Sequence, residues 1–231
     1  QESVRIFSDG TDPDYTRIIA LQPGVSILYF RNLSGAPSQR EFFVQNLTLS
    51  GGNNQNGGGI YSSATNLRLQ HVNFYGNAAD LSGGGLYAGT GSDVVMDHVQ
   101  FKNNAAQNGG GAAIVNQSAL TQLEGRYYDN TATHGGALYV DGAIVMQDDT
   151  RYEINHAVLM PSFGARGGAI AVNAGGHFTG SNLLFSGNTS EQHGGSIYVE
   201  DATANLTSSK LKLSYAERGG MVYATEDAHV T

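Results

Sequence analysis

The sequence predicts an all-β chain: a right-handed parallel β-helix of coils about 26 residues long, with an irregular N-terminal cap. Three observations predict it. Glycine pairs return at near-constant intervals. Each pair opens a short run of alternating apolar and polar residues. Most pairs are preceded by an aromatic residue with an asparagine three positions on.

The pairs begin at Gly57, Gly83, Gly109, Gly135, Gly167, Gly194 and Gly219, at intervals of 26, 26, 26, 32, 27 and 25 residues. A unit this short cannot bury an apolar face alone, but stacked copies bury it against each other. The runs read GGGIYSS, GGGLYAG, GGGAAIV, GGALYVD, GGAIAVN, GGSIYVE and GGMVYAT. Their fourth and sixth positions are apolar or small, so each run is a strand with those positions inward. The fifth position then faces outward. It carries Tyr61, Tyr87, Tyr139, Tyr198 and Tyr223, interrupted by Ala113 and Ala171.

The second signature is FYGN (Phe74 to Asn77), FKNN (Phe101 to Asn104), YYDN (Tyr127 to Asn130), YEIN (Tyr152 to Asn155) and FSGN (Phe185 to Asn188). A degenerate sixth copy is read as LSYA, Leu213 to Ala216, with Leu211 two positions ahead of it. In a stack, equivalent residues of successive coils lie above one another. The rings then form an interior column. Asn77, Asn104, Asn130, Asn155 and Asn188 form a buried amide ladder that satisfies turn groups. Glycine is expected where φ is positive or where coils leave no room for a Cβ.

Residues 1–45 fall outside the repeat. VRIF, TRIIAL, VSILYF and EFFVQN read as strands separated by turn chemistry in SDGTDPD, QPG and RNLSGAPSQR. They are read as a cap and first irregular coil, with residues 46–231 as one continuous repeat domain. At the other end, GGMVYATEDAHVT starts a coil and stops at Thr231. This predicts a piece of a longer protein, or self-association through the open coil. The 32-residue interval places an insertion in HAVLMPSFGARGG, His156 to Gly168, and such loops commonly carry recognition. Phe163 and Arg166 are its candidate binding residues.

Composition narrows the function. The 231 residues include 32 Gly and no Cys, with a net charge of −8 and a pI near 5.2. An acidic chain without a basic run is a poor nucleic-acid ligand. Without cysteine there are no disulfides and no thiolate metal sites. No apolar run approaches the roughly 18 residues of a membrane span, so membrane attachment is expected only through a region outside this chain. The opening QESVRIFSDG lacks the basic and apolar regions of a signal peptide.

The paired motifs resemble the repeats of the chlamydial polymorphic outer membrane proteins, and the wider group of bacterial right-handed β-helix surface proteins. The resemblance covers residues 46–231. It implies an autotransporter-type passenger or another surface adhesin, located extracellularly or at a bacterial outer membrane. In the chlamydial family the two motifs are associated with adhesion to host cells.

Candidate chemistry is sparse. Asp148 and Asp149, followed by Arg151, form the best carboxylate pair, but strand neighbours point to opposite faces. His71 and His98 share a column read onward as Glu124, Asp149, Asn182 and Lys210, a solvent-facing row. His134 and His193 precede glycine pairs. Zinc needs three or four converging ligands, and SDGTDPD lacks the spacing of known calcium loops. No cofactor or metal is therefore expected. The Asn-x-Ser/Thr sequons at Asn32, Asn46, Asn116, Asn188 and Asn205 are read as a by-product of an Asn-rich chain. A tyrosine row can stack on sugar rings or dock a partner. The leading expectation is a non-enzymatic adhesin module for a host-cell or surface receptor, protein or glycan. A polysaccharide lyase or hydrolase, and an end-to-end assembling structural protein, are the alternatives.

Overall fold

The computed structural model describes residues 4–8, 13, 16–32, 41–161, 163–225 and 227–231. Most of SDGTDPD, and residues 33–40 of RNLSGAPSQR, where turns are expected, lie outside them. Among the described residues every regular element is a strand, and the strands stack in parallel as a β-solenoid of about seven turns. None contains a helix long and apolar enough to cross a membrane.

One turn illustrates the rest. Leu138–Asp141, Ile144–Asp148, Arg151–Glu153 and His156–Ala157 are four short strands joined by sharp corners. Each pairs in register with its counterpart one turn on: Leu138 with Ile170, Val145 with Phe178, Tyr152 with Phe185, His156 with Thr189. The longer strands Glu41–Ser50 and Asn66–Tyr75 run through the second corner. They join the second and third walls into one sheet.

The corners explain the glycines. Gly83 sits at φ +68°, where a side chain is strained. A Cβ on Gly84 would collide with the carbonyl oxygens of Gly110 and Ala105 in the next turn. Other corners use non-glycine residues at positive φ. Asn46, His71, His98, Glu124, Asp149, Asn182 and Ser208 form one such column. The seventh member is thus Ser208, not Lys210; Lys210 is a strand residue paired with Leu184. The column was misjudged at its last turn because the sixth copy was aligned two residues too late, on Leu213 instead of Leu211.

The interior is layered. Phe74, Phe101, Tyr127, Tyr152 and Phe185 are fully buried and stack at 4.6, 4.8, 4.8 and 4.9 Å between centroids, with their planes nearly parallel. That is the strand spacing, so register dictates the stacking. The sixth ring position is Leu211, which pairs with Phe185. The degenerate copy is therefore LKLS, Leu211 to Ser214, with Ser214 where the ladder asparagine would stand. A two-residue slip made LSYA look like the match.

The asparagine ladder carries the third corner. Each Nδ2 donates to the next Oδ1: Asn77 to Asn104 at 3.1 Å, then Asn104 to Asn130, Asn130 to Asn155 and Asn155 to Asn188 at 3.0 Å. Each also donates to the carbonyl of the ring position one turn back, as Asn130 does to Phe101 at 2.9 Å. The same Oδ1 accepts the main-chain N–H of the preceding ladder residue, as Asn130 does from Asn104 at 3.0 Å. All five are buried. Buried turn groups are thereby paired by the ladder side chains.

At the N-terminal end, Val4–Phe7 pairs in parallel with Phe42 to Gln45, and Arg17–Ile19 with Thr48 to Ser50. These strands add a rung to the stack and leave Phe7, Ile19 and Leu21 exposed. Glu41–Ser50 runs through position 45 and pairs with the next turn from Glu41 onward.

Candidate functional site

The wall that begins after each glycine pair consists of Leu28–Arg31, Ile60–Ser63, Leu86–Gly89, Ala112–Val115, Leu138–Asp141, Ile170–Asn173, Ile197–Glu200 and Val222–Ala224. Alternation turns the fifth-position tyrosines away from the core. Tyr29, Tyr61 and Tyr87 stack at 4.5 and 5.2 Å. Tyr29 was missed in the sequence because no glycine pair precedes it; its register with Tyr61 reveals it. Ala113 ends this group. Tyr139 stands alone, and beyond Ala171 Tyr198 stacks on Tyr223 at 5.6 Å and 3°.

An outward direction did not mean an open row. Tyr61, Tyr87, Tyr139 and Tyr223 are half-buried and Tyr198 is only 3% exposed. Tyr61 and Tyr87 lie in their own stack, whereas Tyr139, Tyr198 and Tyr223 are covered by the column just before each glycine pair, Asn108, His134, Arg166, His193 and Arg218, held together by bridges between successive turns. Its side chains lie over the rings. The His134 ring is 6.4 Å from Tyr139, the Arg166 guanidinium 5.1 Å from the centre of Tyr198, and the His193 ring 4.6 Å from Tyr223. Arg166 also pairs with Glu200 at 2.7 Å.

The inserted segment folds onto the same patch. Met160 and Phe163 exchange main-chain hydrogen bonds of 3.3 and 3.0 Å, and the Leu159 N–H donates to Glu191 Oε2 at 2.6 Å. Leu159, Met160 and Phe163 are exposed. Phe163 meets His134 edge-on at 6.3 Å. The geometry thus gathers Tyr139, Phe163, Arg166, Tyr198 and Tyr223 around His134 and His193, and leaves Tyr61 and Tyr87 beyond Ala113.

Burial sets the charge state of the patch. It raises the Tyr139 hydroxyl pKa well above the usual phenol value, helped by the Asp141 carboxylate, and pushes Tyr198 up to about 12. It lowers His134, with Arg166 adding to the shift, and lowers His193, with Arg218 and Arg166 adding. At neutral pH Tyr139, Tyr198, His134 and His193 are thus uncharged donors and acceptors beside the Arg166 guanidinium, which is paired with Glu200. Such a surface suits hydroxyl and amide groups and flat apolar faces.

Elsewhere, Asp148 accepts hydrogen bonds from Ser181 Oγ at 2.6 Å and Asn182 Nδ2 at 2.9 Å, which hold its pKa below the usual carboxylate value. His98 lies between Asp97 and Glu124 at 2.6 and 2.7 Å on an exposed corner. Among the described residues no three His, Cys, Asp or Glu side chains converge as metal ligands.

The turn holding Phe185, Asn188, Gly194 and Tyr198 places ring, ladder, glycine corner and outward tyrosine at the spacing common to the whole stack. Residues 182–200 match the Chlamydia polymorphic membrane protein repeat. The matched segment contains all four positions, and the neighbouring turns repeat its geometry. Neither a curated protein nor a solved structure matches the chain.

Proposed function

We propose that this chain is a surface-displayed binding module of the passenger type, located at a bacterial outer membrane or beyond it, that attaches to a host-cell or surface receptor. The observation that carries the reading is the joining of a repeat characteristic of chlamydial membrane proteins to a rigid wall bearing Tyr139, Phe163 and Arg166. The mechanism is presentation. Stacked turns hold the rings at fixed separations, so little order is lost when a partner docks. The neutral tyrosines and imidazoles supply hydrogen bonds, while Phe163 and Met160 supply an apolar edge.

The test is binding of the purified chain to cultured host cells and to a glycan array, with Tyr139→Ser combined with Phe163→Ser. Circular dichroism melting controls for folding. A loss of binding of at least tenfold is expected. Undiminished binding by the folded variant would remove this patch as the attachment site.

A further inference from the structure

The chain is acidic as a whole, yet its cations are not spread evenly. Outward from the buried ring column run two rows. One is Asn73, Gln100, Arg126, Arg151, Leu184 and Lys210; the other is Tyr75, Lys102, Tyr128, Glu153, Ser186 and Lys212. Arg17, paired with Thr48 one rung earlier, extends the first row. Arg17, Lys102, Arg126, Arg151, Lys210 and Lys212 are half of the 12 Lys and Arg residues in the chain. Glu153 is the only carboxylate in these rows, and it pairs with Arg126 at 2.8 Å. Among the described residues the other five cations form no ion pair. All six are exposed.

The cations are interleaved with aromatic rings. Arg17 lies 5.6 Å from the centre of Tyr75; Lys102 and Arg126 lie 5.5 and 5.1 Å from that of Tyr128. These residues line adjoining depressions along the wall. No basic run is visible in the sequence because successive members are about one turn of chain apart.

We propose that this wall binds a linear anionic polysaccharide, with sulfate or carboxylate groups on the cations and pyranose faces on Tyr75 and Tyr128. Charge complementarity selects a polyanion from a chain that repels polyanions elsewhere. The choice of glycan over nucleic acid follows from the borders. Asp129, Glu124 and Asp149 stand at the two corners beside the rows, against any wide, uniformly charged backbone. A single narrow strand fits between them. Each rung advances about 4.8 Å, comparable to one sugar unit, so successive rungs meet successive sugars. This wall is separate from the tyrosine patch, and either reading stands if the other fails.

The test is titration calorimetry of the intact chain with a heparin oligosaccharide, a neutral dextran oligomer and a DNA oligonucleotide matched in charge to the heparin. Wild type should bind heparin, with affinity falling as salt rises. Lys102→Ser with Arg126→Ser should weaken it at least tenfold and flatten the salt dependence. Lys102→Glu should weaken it further. Met146→Ser, exposed on the strand Ile144–Asp148 and outside both surfaces, should bind as wild type. Heparin binding no tighter than dextran binding, DNA binding as tight as heparin binding, or a folded double variant equal to wild type would each overturn the proposal.

Discussion

The hydroxyl of Tyr127 donates a 2.9 Å hydrogen bond to Oε1 of Gln122, five residues earlier and wholly inside the solenoid. One turn on, Tyr152 bonds Gln147 at 2.5 Å, and Gln147 Nε2 reaches Gln122 Oε1 at 2.7 Å. Where the ring is phenylalanine, the position five residues earlier is apolar or glycine: Leu69 before Phe74, Met96 before Phe101, Gly180 before Phe185. Ring hydroxyl and glutamine therefore occur together, because a buried hydroxyl without a partner is costly.

This pairing predicts a coupled mutant cycle. Gln122→Met alone strands the Tyr127 hydroxyl and Gln147 Nε2, and should cost about 1–3 kcal/mol. Adding Tyr127→Phe removes the stranded hydroxyl and should recover its share of the loss, leaving only Gln147 Nε2 without its acceptor. Urea midpoints of the two single variants and the double variant measure the coupling; additive losses would refute it.

The ladder predicts a larger effect. Asn130→Ala leaves the Asn104 main-chain N–H unpaired and takes one donor from Phe101 O. The cost should be on the order of 3 kcal/mol. Hydrogen exchange should show faster protection loss at Asn104 than at Asn188, where the ladder bonds remain.

Ile154 occupies a corner column at φ +55° whose other members include Gly76, Asn103, Asp129 and Gly187. A β-branched residue is strained there, and its side chain is 42% exposed. Ile154→Asn should raise stability by about 0.5–1 kcal/mol, read as an increased urea midpoint. A lowered midpoint would show that the isoleucine contacts outweigh the strain.

His134 predicts a pH response in the inserted segment. Its folded pKa is lowered by burial and then by Arg166, so below the ordinary histidine value of about 6.5 the unfolded state takes up a proton first. The stability contribution is complete above that value and is lost as pH falls towards the folded pKa. Protection factors at the Met160 and Phe163 amides, corrected for the slower intrinsic exchange at low pH, should fall as pH drops from 7 to 5 in wild type and much less in His134→Gln. Equal responses would assign the change to another group.

Much of the architecture was legible in the chain itself. Seven glycine pairs and five aromatic-x-x-Asn sets announce a stacked solenoid, because only a repeating rung needs the same side chain at the same place each time. Asn77 to Asn188 could be named as a column from spacing alone. Copies that had drifted could not be placed: Ser214 and Ser208 are identified by their strand partners, since a two-residue slip costs nothing in a motif search yet exchanges corner residues for strand residues.

Sequence by itself thus determined the periodic interior, where every turn faces the same constraint from the turns above and below. Tertiary structure alone decided the surface. Tyr198 lies beneath Arg166, 32 residues earlier, and Lys102, Arg126 and Arg151 gather into one wall although about 25 residues separate each from the next. Outward side chains are under no repeating constraint, so their neighbours across turns are set by register and insertion length, which no local pattern encodes.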